Sequence, residues 1–191
     1  MKSVKIIDKE MKSSGFLKVE GLQLQVPKYD EEGSFTQQRE LVVQSDSVFL
    51  LPYDPVTKEV VVVTQHRPGA AYELSSEVIE TIAGRVDKSL SYEEIVIAEA
   101  KEEAGLDVCI DDIEKIGTFY LSPGASTEKA HVYLVEKSLS DVPSRAVHGL
   151  PEEGENILME KKPLKELLDT DPSKAQMSAI LMMSLMAVRS R

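Results

Sequence analysis

The sequence predicts an α/β or α+β domain in which a mixed sheet lies between layers of helices. Three observations support this prediction: several runs rich in β-branched and aliphatic residues, one clearly bounded helix in the middle of the chain, and two helical segments near its C-terminal end. The predicted elements come in the order strands, one helix, more strands and further helices. This order is typical of a sheet whose faces are covered by helices. A chain of 191 residues fits one such domain with a small appendage and is long enough to bury a core.

The N-terminal part of the chain is predicted to form an antiparallel hairpin. Residues 16–26 alternate roughly between apolar and polar side chains, residues 27–34 (PKYDEEGS) carry turn-forming residues, and residues 35–44 resume an extended pattern. We therefore divide the chain into an N-terminal β-hairpin region at residues 1–44 and a main domain at residues 45–191.

The main domain contains apolar runs of strand length, with two helical segments at the end. The strand runs lie at 47–54, 59–67, 113–121 and 128–136. A turn signal at Asp54 and Pro55 separates the first two. A short helix is predicted at 163–168, and a longer one is predicted to begin with Asp171 as its cap and Pro172 at its first position.

Composition limits the classes of partner and the compartment. The net charge of −11 argues against nucleic acid or an anionic membrane surface as a partner, although a local arginine or a metal ion could still hold a small phosphorylated ligand. Cys109 is the only cysteine, which rules out an internal disulfide and fits a reducing compartment. No segment approaches the roughly 20 apolar residues of a membrane span. These features predict a cytoplasmic protein.

The central helix is predicted at residues 91–104. Ser91 followed by Glu94 fits a capping box at its start, and Gly105 fits a C-terminal stop. Both ends of the helix are therefore fixed by the sequence pattern.

This helix carries three carboxylates on one face. At about 100° per residue, Glu99, Glu102 and Glu103 share a stripe that borders the apolar arc, and Lys101 points away from it. Like charges at this spacing cost about 0.2 to 0.5 kcal/mol per pair on an exposed helix. The residues alone leave two readings open: a solvated acidic face, or a site for Mg²⁺ or Mn²⁺, which prefer carboxylate oxygens.

The glycines and glutamates around this helix resemble the Nudix box, G-x5-E-x7-R-E-U-x-E-E-x-G-U with U apolar. The matching residues are Gly84, Glu99, Ala100, Glu102, Glu103, Gly105 and Leu106. The resemblance implies a Nudix α/β/α sandwich that uses Mg²⁺, with Mn²⁺ as the alternative, to hydrolyse a nucleoside diphosphate linked to another group. It implies Glu99, Glu102 and Glu103 as metal ligands, with the backbone carbonyl of Ala83 as a further ligand, and it makes Glu103 part of the catalytic machinery.

Two positions depart from the box. Leu90 stands where the pattern has Glu, and Ala98 stands where it has Arg; in the family these two form an ion pair that braces the loop against the helix. Losing both members is milder than losing one, because an orphaned buried charge costs several kcal/mol, roughly 3 to 5, whereas an apolar pair can be nearly neutral. We therefore expect a rebuilt brace and an active enzyme.

Further segments resemble the ADP-ribose and nucleoside-diphosphate-sugar pyrophosphatase branch of the family. They are QHRPGA at 65–70, ETIAG at 80–84, in which Ile82 replaces the branch's proline, and YLSPGASTE at 120–128. By this resemblance the substrate-binding residues are Arg67, Glu80, Pro123 and Gly124.

The stretch HGLPEEGENI at 148–157 resembles the acidic loop that supplies the general base. Glu153 aligns best with that base and Glu155 is the near alternative, while the residues alone also allow simple solvated acids. The isolated histidines, His66, His131 and His148, are read as structural.

The resemblance implies hydrolysis of ADP-ribose or a related nucleoside diphosphate sugar, giving a nucleoside monophosphate and a sugar phosphate. It also implies a homodimer in which the N-terminal hairpin crosses to the partner and helps to bind the base. Two other functions stay open at this point: a non-catalytic Nudix domain that binds a nucleotide sugar, and a housecleaning nucleoside triphosphate pyrophosphatase.

Overall fold

The computed structural model describes residues 2–72, 77–86, 89–171 and 176–189. These residues separate into two compact units, one made of residues 2–46 and 120–129 and the other of the remainder. Within the described ranges, no helix has both the length and the apolar character needed to cross a lipid bilayer.

The first unit is built on a three-stranded antiparallel sheet. Its strands are β1 at Lys5–Ser14, β2 at Lys18–Pro27 and β3 at Ser34–Val43, in the order β1-β2-β3. The hairpin predicted from the sequence is β2 and β3, which pair from Lys18 opposite Val43 to Pro27 opposite Ser34. The sequence prediction missed β1, because its side chains are exposed along its whole length and charged and apolar residues mix without a buried face.

In its described residues, the second unit contains a mixed sheet and three helices. Its strands are β4 at Ser47–Asp54, β5 at Glu59–His66, β6 at Glu77–Glu80, β7 at Ile82–Arg85, β8 at Ile113–Tyr120, β9 at Lys129–Glu136, β10 at Arg145–His148 and β11 at Ile157–Pro163. Its helices are α1 at Tyr92–Ala104, α2 at Leu164–Asp169 and α3 at Ala179–Arg189. The strand order is β10-β11-β5-β4-β9-β8, with β6 paired to β5 and β7 paired to β4. Strands β4 and β9 are parallel while β5 and β11 are antiparallel, which confirms the mixed sheet.

The sheet has a hydrophobic core on each face, and strand β5 contributes side chains to both cores. Val61 and Val63 pack in the core that contains the apolar side of α1, whereas Val60 and Val62 pack in the core that contains α2 and α3. Side chains alternate between the two faces of a strand, so four consecutive valines supply both cores. The predicted α/β/α sandwich is confirmed.

Helix α3 begins later than predicted. Residues 172–175, including the expected first position of the helix, lie outside the described residues. The prediction that Asp171 caps the helix is wrong, because α3 starts at Ala179 and the Ser178 Oγ accepts a hydrogen bond from the Leu181 N–H at 3.2 Å. Before the helix, the chain runs beside β6 instead: the Ile79 N–H donates to the Gln176 carbonyl at 2.7 Å, and the Ser178 N–H donates to the Ile79 carbonyl at 2.9 Å. The Gln176 carbonyl and the Ser178 N–H are thus bonded to β6, and a helix that began earlier would need these groups for its own hydrogen bonds.

Candidate active site

Helix α1 is fixed at both ends by the contacts that the sequence predicts. The Ser91 Oγ accepts from the Glu94 N–H at 3.2 Å, and the Glu94 Oε2 accepts from the Ser91 N–H at 2.8 Å. At the other end, Gly105 has φ of +67°, and its N–H donates to the Lys101 carbonyl at 3.0 Å. The capping box and the glycine stop are therefore confirmed.

The acidic stripe of α1 borders the core, as expected. Val96, Ala100 and Ala104 are buried, and Glu103 is only 2% exposed even though it carries a carboxylate. Lys101 forms an ion pair with Asp107 at 2.8 Å, away from the stripe, so it does not offset the glutamate charges.

Glu99 lies against Gly84 of strand β7, which precedes the helix. Gly84 is in β7, opposite Val48 of β4, and a Cβ atom at position 84 would overlap the Glu99 carboxylate. Only glycine leaves room for the carboxylate at this point. The first glycine of the box is thus explained by a close approach between β7 and α1.

Glu103 is held by a donor on each carboxylate oxygen. The Gln65 Nε2 donates to Oε1 at 3.0 Å, and the Ala83 N–H donates to Oε2 at 2.9 Å. These donors come from β5 and β7, so two strands of the sheet fix the position of one helix side chain. Ala83, predicted as a carbonyl ligand, here contacts Glu103 through its N–H; the ligand role of its carbonyl stays a prediction.

Burial and mutual repulsion make these carboxylates hard to ionise. Burial raises the pKa of Glu99 to about 8, and the negative charges of Glu103, Glu102, Glu155 and Glu153 add to that rise. Burial also raises the pKa of Glu103 to about 7, opposed by the Ala83 hydrogen bond, the Arg67 charge and the Gln65 amide, while the Glu155 charge raises it further. A cation bound between these groups would remove both penalties.

The chemistry of this site fits a hard divalent cation. Its side-chain donors are carboxylate oxygens, which Mg²⁺ and Mn²⁺ prefer, and their pKa values stay raised although the Arg67 charge lowers that of Glu103 in part. In the part of the chain that the structure describes, no three acidic, histidine or cysteine side chains already form a metal-binding group. The ligand roles of Glu99, Glu102 and Glu103 therefore stay predictions.

Arg67 and Glu80, both predicted to bind substrate, contact each other. The Arg67 Nε donates to the Glu80 Oε2 at 2.6 Å, and the side chains are 42% and 15% exposed. Glu80 lies in β6 opposite Val63 of β5, four residues before Arg67, so this ion pair links β6 to the residue that follows β5. Glu80 thereby orients Arg67, and contact of either residue with substrate stays a prediction.

The acidic loop at 148–157 is hydrogen-bonded to α1, and its Glu155 affects the pKa of Glu99 more than its Glu153 does. The Gly149 N–H donates to the Glu102 carbonyl at 3.0 Å, and the Glu155 Oε2 accepts from the Leu150 N–H at 3.2 Å. After burial and its neighbours on α1, the Glu155 charge raises the pKa of Glu99 more than the Glu153 charge does. Glu153 is exposed in a short 3-10 turn, whereas Glu155 is half-buried. The choice between them as general base stays a prediction.

Pro123 and Gly124 belong to the first unit. They are exposed in a turn closed by hydrogen bonds from the N–H groups of Ala125 and Ser126 to the Ser122 carbonyl, at 2.9 Å and 2.8 Å. Their predicted role in substrate binding stays a prediction.

Leu90, which stands in place of the box glutamate, is 45% exposed, and a rebuilt brace between Leu90 and Ala98 stays a prediction. The start of α1 is tied to β9. The Tyr92 ring stacks on the His131 ring with centroids 3.9 Å apart, and the Tyr133 hydroxyl donates to the Glu93 Oε1 at 3.0 Å. These contacts hold the first turn of the helix without the Glu and Arg of the box.

Gln65 is the site residue that the sequence reasoning missed. Strand alternation could have found it, because Val61, Val63 and Gln65 follow at intervals of two and must share the face of β5 that carries α1. His148, read as structural, packs against Gly105: a Cβ on that glycine would lie 2.8 Å from the His148 Cε1.

A mixed sheet between helical layers, with a glycine loop leading into a helix of three glutamates, defines a hydrolase domain of the Nudix class. No protein-family model matches the chain. Curated relatives do match it. It is 31% identical over 156 residues to the ADP-ribose pyrophosphatase of Escherichia coli strain K12, covering 81% of this chain and 72% of the relative. It is 32% identical over 133 residues to the GDP-mannose pyrophosphatase of Salmonella arizonae, covering 69% of this chain and 66% of the relative.

A solved structure described as an ADP compounds hydrolase shares the fold. The TM-score is 0.72 at 17% identity, with 100% of this chain and 94% of that chain covered. The relative that is 31% identical over 81% of this chain shows that the chain belongs to the ADP-ribose pyrophosphatase branch of the Nudix hydrolase superfamily.

Proposed function

We propose that this protein hydrolyses the pyrophosphate bond of ADP-ribose or a related nucleoside diphosphate sugar, giving a nucleoside monophosphate and a sugar phosphate. The observation that carries the proposal is the pair of carboxylates on one face of α1: Glu99 is half-buried against Gly84, and Glu103 is buried with a donor on each oxygen. The raised pKa values of both groups fit a site for a cation. The names of the similar proteins, ADP-ribose pyrophosphatase and GDP-mannose pyrophosphatase, support this substrate class.

Glu99, Glu102, Glu103 and the Ala83 carbonyl would hold Mg²⁺, or Mn²⁺ as the alternative. When bound, such ions lower the pKa of a water molecule and offset the negative charge of the pyrophosphate. Gly84 of β7 leaves room for the Glu99 carboxylate, and Ala83 and Gln65 keep Glu103 in place. In this proposal α1 supplies three carboxylates and β7 supplies a backbone carbonyl.

Arg67 binds a phosphate of the substrate in this proposal. A guanidinium carries five N–H donors, and the Nε–H is the one directed at Glu80. Holding Arg67 through Glu80 limits its freedom and prepares it to donate to phosphate oxygens.

Glu155 is our preferred general base, with Glu153 as the alternative. Its charge raises the pKa of both Glu99 and Glu103, and it affects Glu99 more than the Glu153 charge does. A base must reach the attacking water, directly or through one intervening molecule, to accept its proton. The Leu150 N–H holds the Glu155 carboxylate in this position at 3.2 Å.

The experiment is a substrate panel with product identification. The protein is incubated with ADP-ribose, GDP-mannose and nucleoside triphosphates, each with Mg²⁺ and with Mn²⁺, and the products are separated by chromatography. We expect AMP or GMP together with the sugar phosphate, and we expect Glu103→Gln to reduce turnover by roughly 10²- to 10⁴-fold. Binding of nucleotide sugars without turnover would favour a non-catalytic binding domain, and release of pyrophosphate from triphosphates would favour a housecleaning enzyme.

We also propose that the protein is a cytoplasmic homodimer that associates through its first unit. Among the described residues of that unit, Leu22 is the only buried hydrophobic side chain, while β1 exposes Ile6, Ile7 and Met11. A long exposed strand with apolar residues favours association. Light scattering after size exclusion should give twice the chain mass, and Met11→Lys should shift it toward monomer; the matched change Val147→Lys, at an exposed apolar residue of β10, should not.

A further inference from the structure

Gln65 is a polar residue at the end of an apolar row on the face of β5 that carries α1. Val61 and Val63 of this row are fully buried in the core beneath the helix. Gln65 continues the row at the end of the strand, where it is half-buried beside Glu103. A polar side chain in this position needs a hydrogen-bond partner, and the Glu103 carboxylate supplies it.

The hydrogen bonds fix the orientation of the Gln65 amide and of the Glu103 carboxylate. An ionised carboxylate only accepts hydrogen bonds, so the Gln65 amide must present its NH₂ to the Glu103 Oε1. The Ala83 N–H occupies one acceptor position of the other oxygen. With one donor on each oxygen, rotation of the carboxylate would break both bonds, while each oxygen retains a second acceptor position for a cation.

We propose that Gln65 is a positioning residue that sets the orientation of Glu103 for divalent cation binding. The inference rests on the proposed function, in which Glu103 is a metal ligand. Hydrogen bonds from the protein to a ligand side chain orient that ligand, and their loss reduces metal affinity by roughly 10- to 100-fold. Because Ala83 alone would then hold Glu103, the carboxylate could turn about that single bond.

The test compares four variants with the wild-type protein, all freed of metal with a chelator and without substrate. Gln65→Met removes the amide while keeping the length of the side chain, and Gln65→Asn withdraws the amide by one carbon. Thr64→Val is the matched control, since it removes a polar group from the same strand on the opposite face. Glu103→Gln removes the ligand itself. Mn²⁺ binding is measured by titration calorimetry and by the electron paramagnetic resonance spectrum of the bound ion.

We expect both Gln65 variants to bind Mn²⁺ roughly 10- to 100-fold more weakly and to alter the spectrum of the bound ion, while Thr64→Val matches the wild type. Thermal melting of the metal-free proteins checks that each variant is folded, and either Gln65 variant that folds is sufficient. In a separate assay with ADP-ribose and saturating Mn²⁺, the Gln65 substitutions should lower kcat with little change in KM. A general structural defect would change kcat and KM together.

Two results overturn the inference in different ways. If Gln65→Met and Gln65→Asn bind Mn²⁺ like the wild type while Glu103→Gln binds weakly, the positioning role is wrong and the proposed function stands. If Glu103→Gln also binds like the wild type, Glu103 is not a ligand, and the metal site of the proposed function fails together with the inference.

Discussion

Replacing Glu103 by glutamine should make the metal-free protein more stable at alkaline pH. The substituted side chain has the same length, and its amide oxygen can accept from the Ala83 N–H as Oε2 does now. Its NH₂ would face Gln65, whose own amide can turn over and accept with its oxygen. Both hydrogen bonds are kept, so the substitution removes a buried charge without leaving an unpaired polar group.

The magnitude follows from the pKa of Glu103, which burial raises from 4.5 to about 7. At about 1.4 kcal/mol per pKa unit, ionising this carboxyl in the folded protein costs up to roughly 3 kcal/mol. The folded state holds the proton more tightly than the unfolded chain does. The stability contributed by the protonated carboxyl is therefore complete below pH 4.5 and is lost as the pH rises through about 7.

The assay is urea unfolding with a chelator present, at about pH 5 and at about pH 8, for the wild type and Glu103→Gln. The free energy of unfolding of the variant, relative to the wild type, should increase between these pH values by about 1 to 3 kcal/mol. Glu152→Gln, at an exposed acid of the neighbouring loop, controls for the loss of one negative charge. A difference between Glu103→Gln and the wild type that is the same at both pH values would refute the reasoning.

Three further predictions follow from the same contacts. Gly84→Ala should displace the Glu99 carboxylate and weaken Mn²⁺ binding by at least roughly 10-fold, measured by titration calorimetry; unchanged affinity would mean that Glu99 is not a ligand. Glu155→Gln should lower kcat by roughly 10²- to 10⁴-fold, whereas Glu153→Gln should have a much smaller effect in the same product assay; the reverse order would make Glu153 the base. Adding Mg²⁺ at 100 times its dissociation constant should stabilise the metal-free wild type by about 2.7 kcal/mol in urea unfolding, and no stabilisation would exclude a site specific to the folded protein.

Much of the fold could be predicted because local patterns and burial agree. Four consecutive valines in β5 indicate a strand buried on both faces, and the structure places them in two cores. Ser91, Glu94 and Gly105 likewise fix the ends of α1 by local hydrogen bonds.

Strands at the edge of a sheet have weaker sequence patterns than buried strands, and are therefore harder to predict. β1 has no buried face, and β10 is only four residues long beside the acidic loop. The start of α3 depends on pairing between Ile79 and the segment around Met177, which are far apart in the sequence. A local pattern does not reveal such a contact.

In the site, too, features that are local in the sequence could be predicted, and contacts between distant residues could not. The spacing of Glu99, Glu102 and Glu103 on one helix face is a local property, and the sequence therefore predicted their common stripe. The hydrogen bond from Gln65 to Glu103 joins residues that are distant along the chain, and the charge of Glu155 likewise acts on a glutamate far from it in the sequence. These contacts depend on how β5 and the acidic loop lie against α1.

Anomalous diffraction from crystals soaked in manganese chloride with a non-hydrolysable ADP-ribose analogue would show directly whether the glutamates of α1 hold divalent ions. We expect an anomalous peak beside the carboxylates of Glu99, Glu102 and Glu103. Well-ordered analogue density with no such peak would contradict a metal-dependent site at this helix.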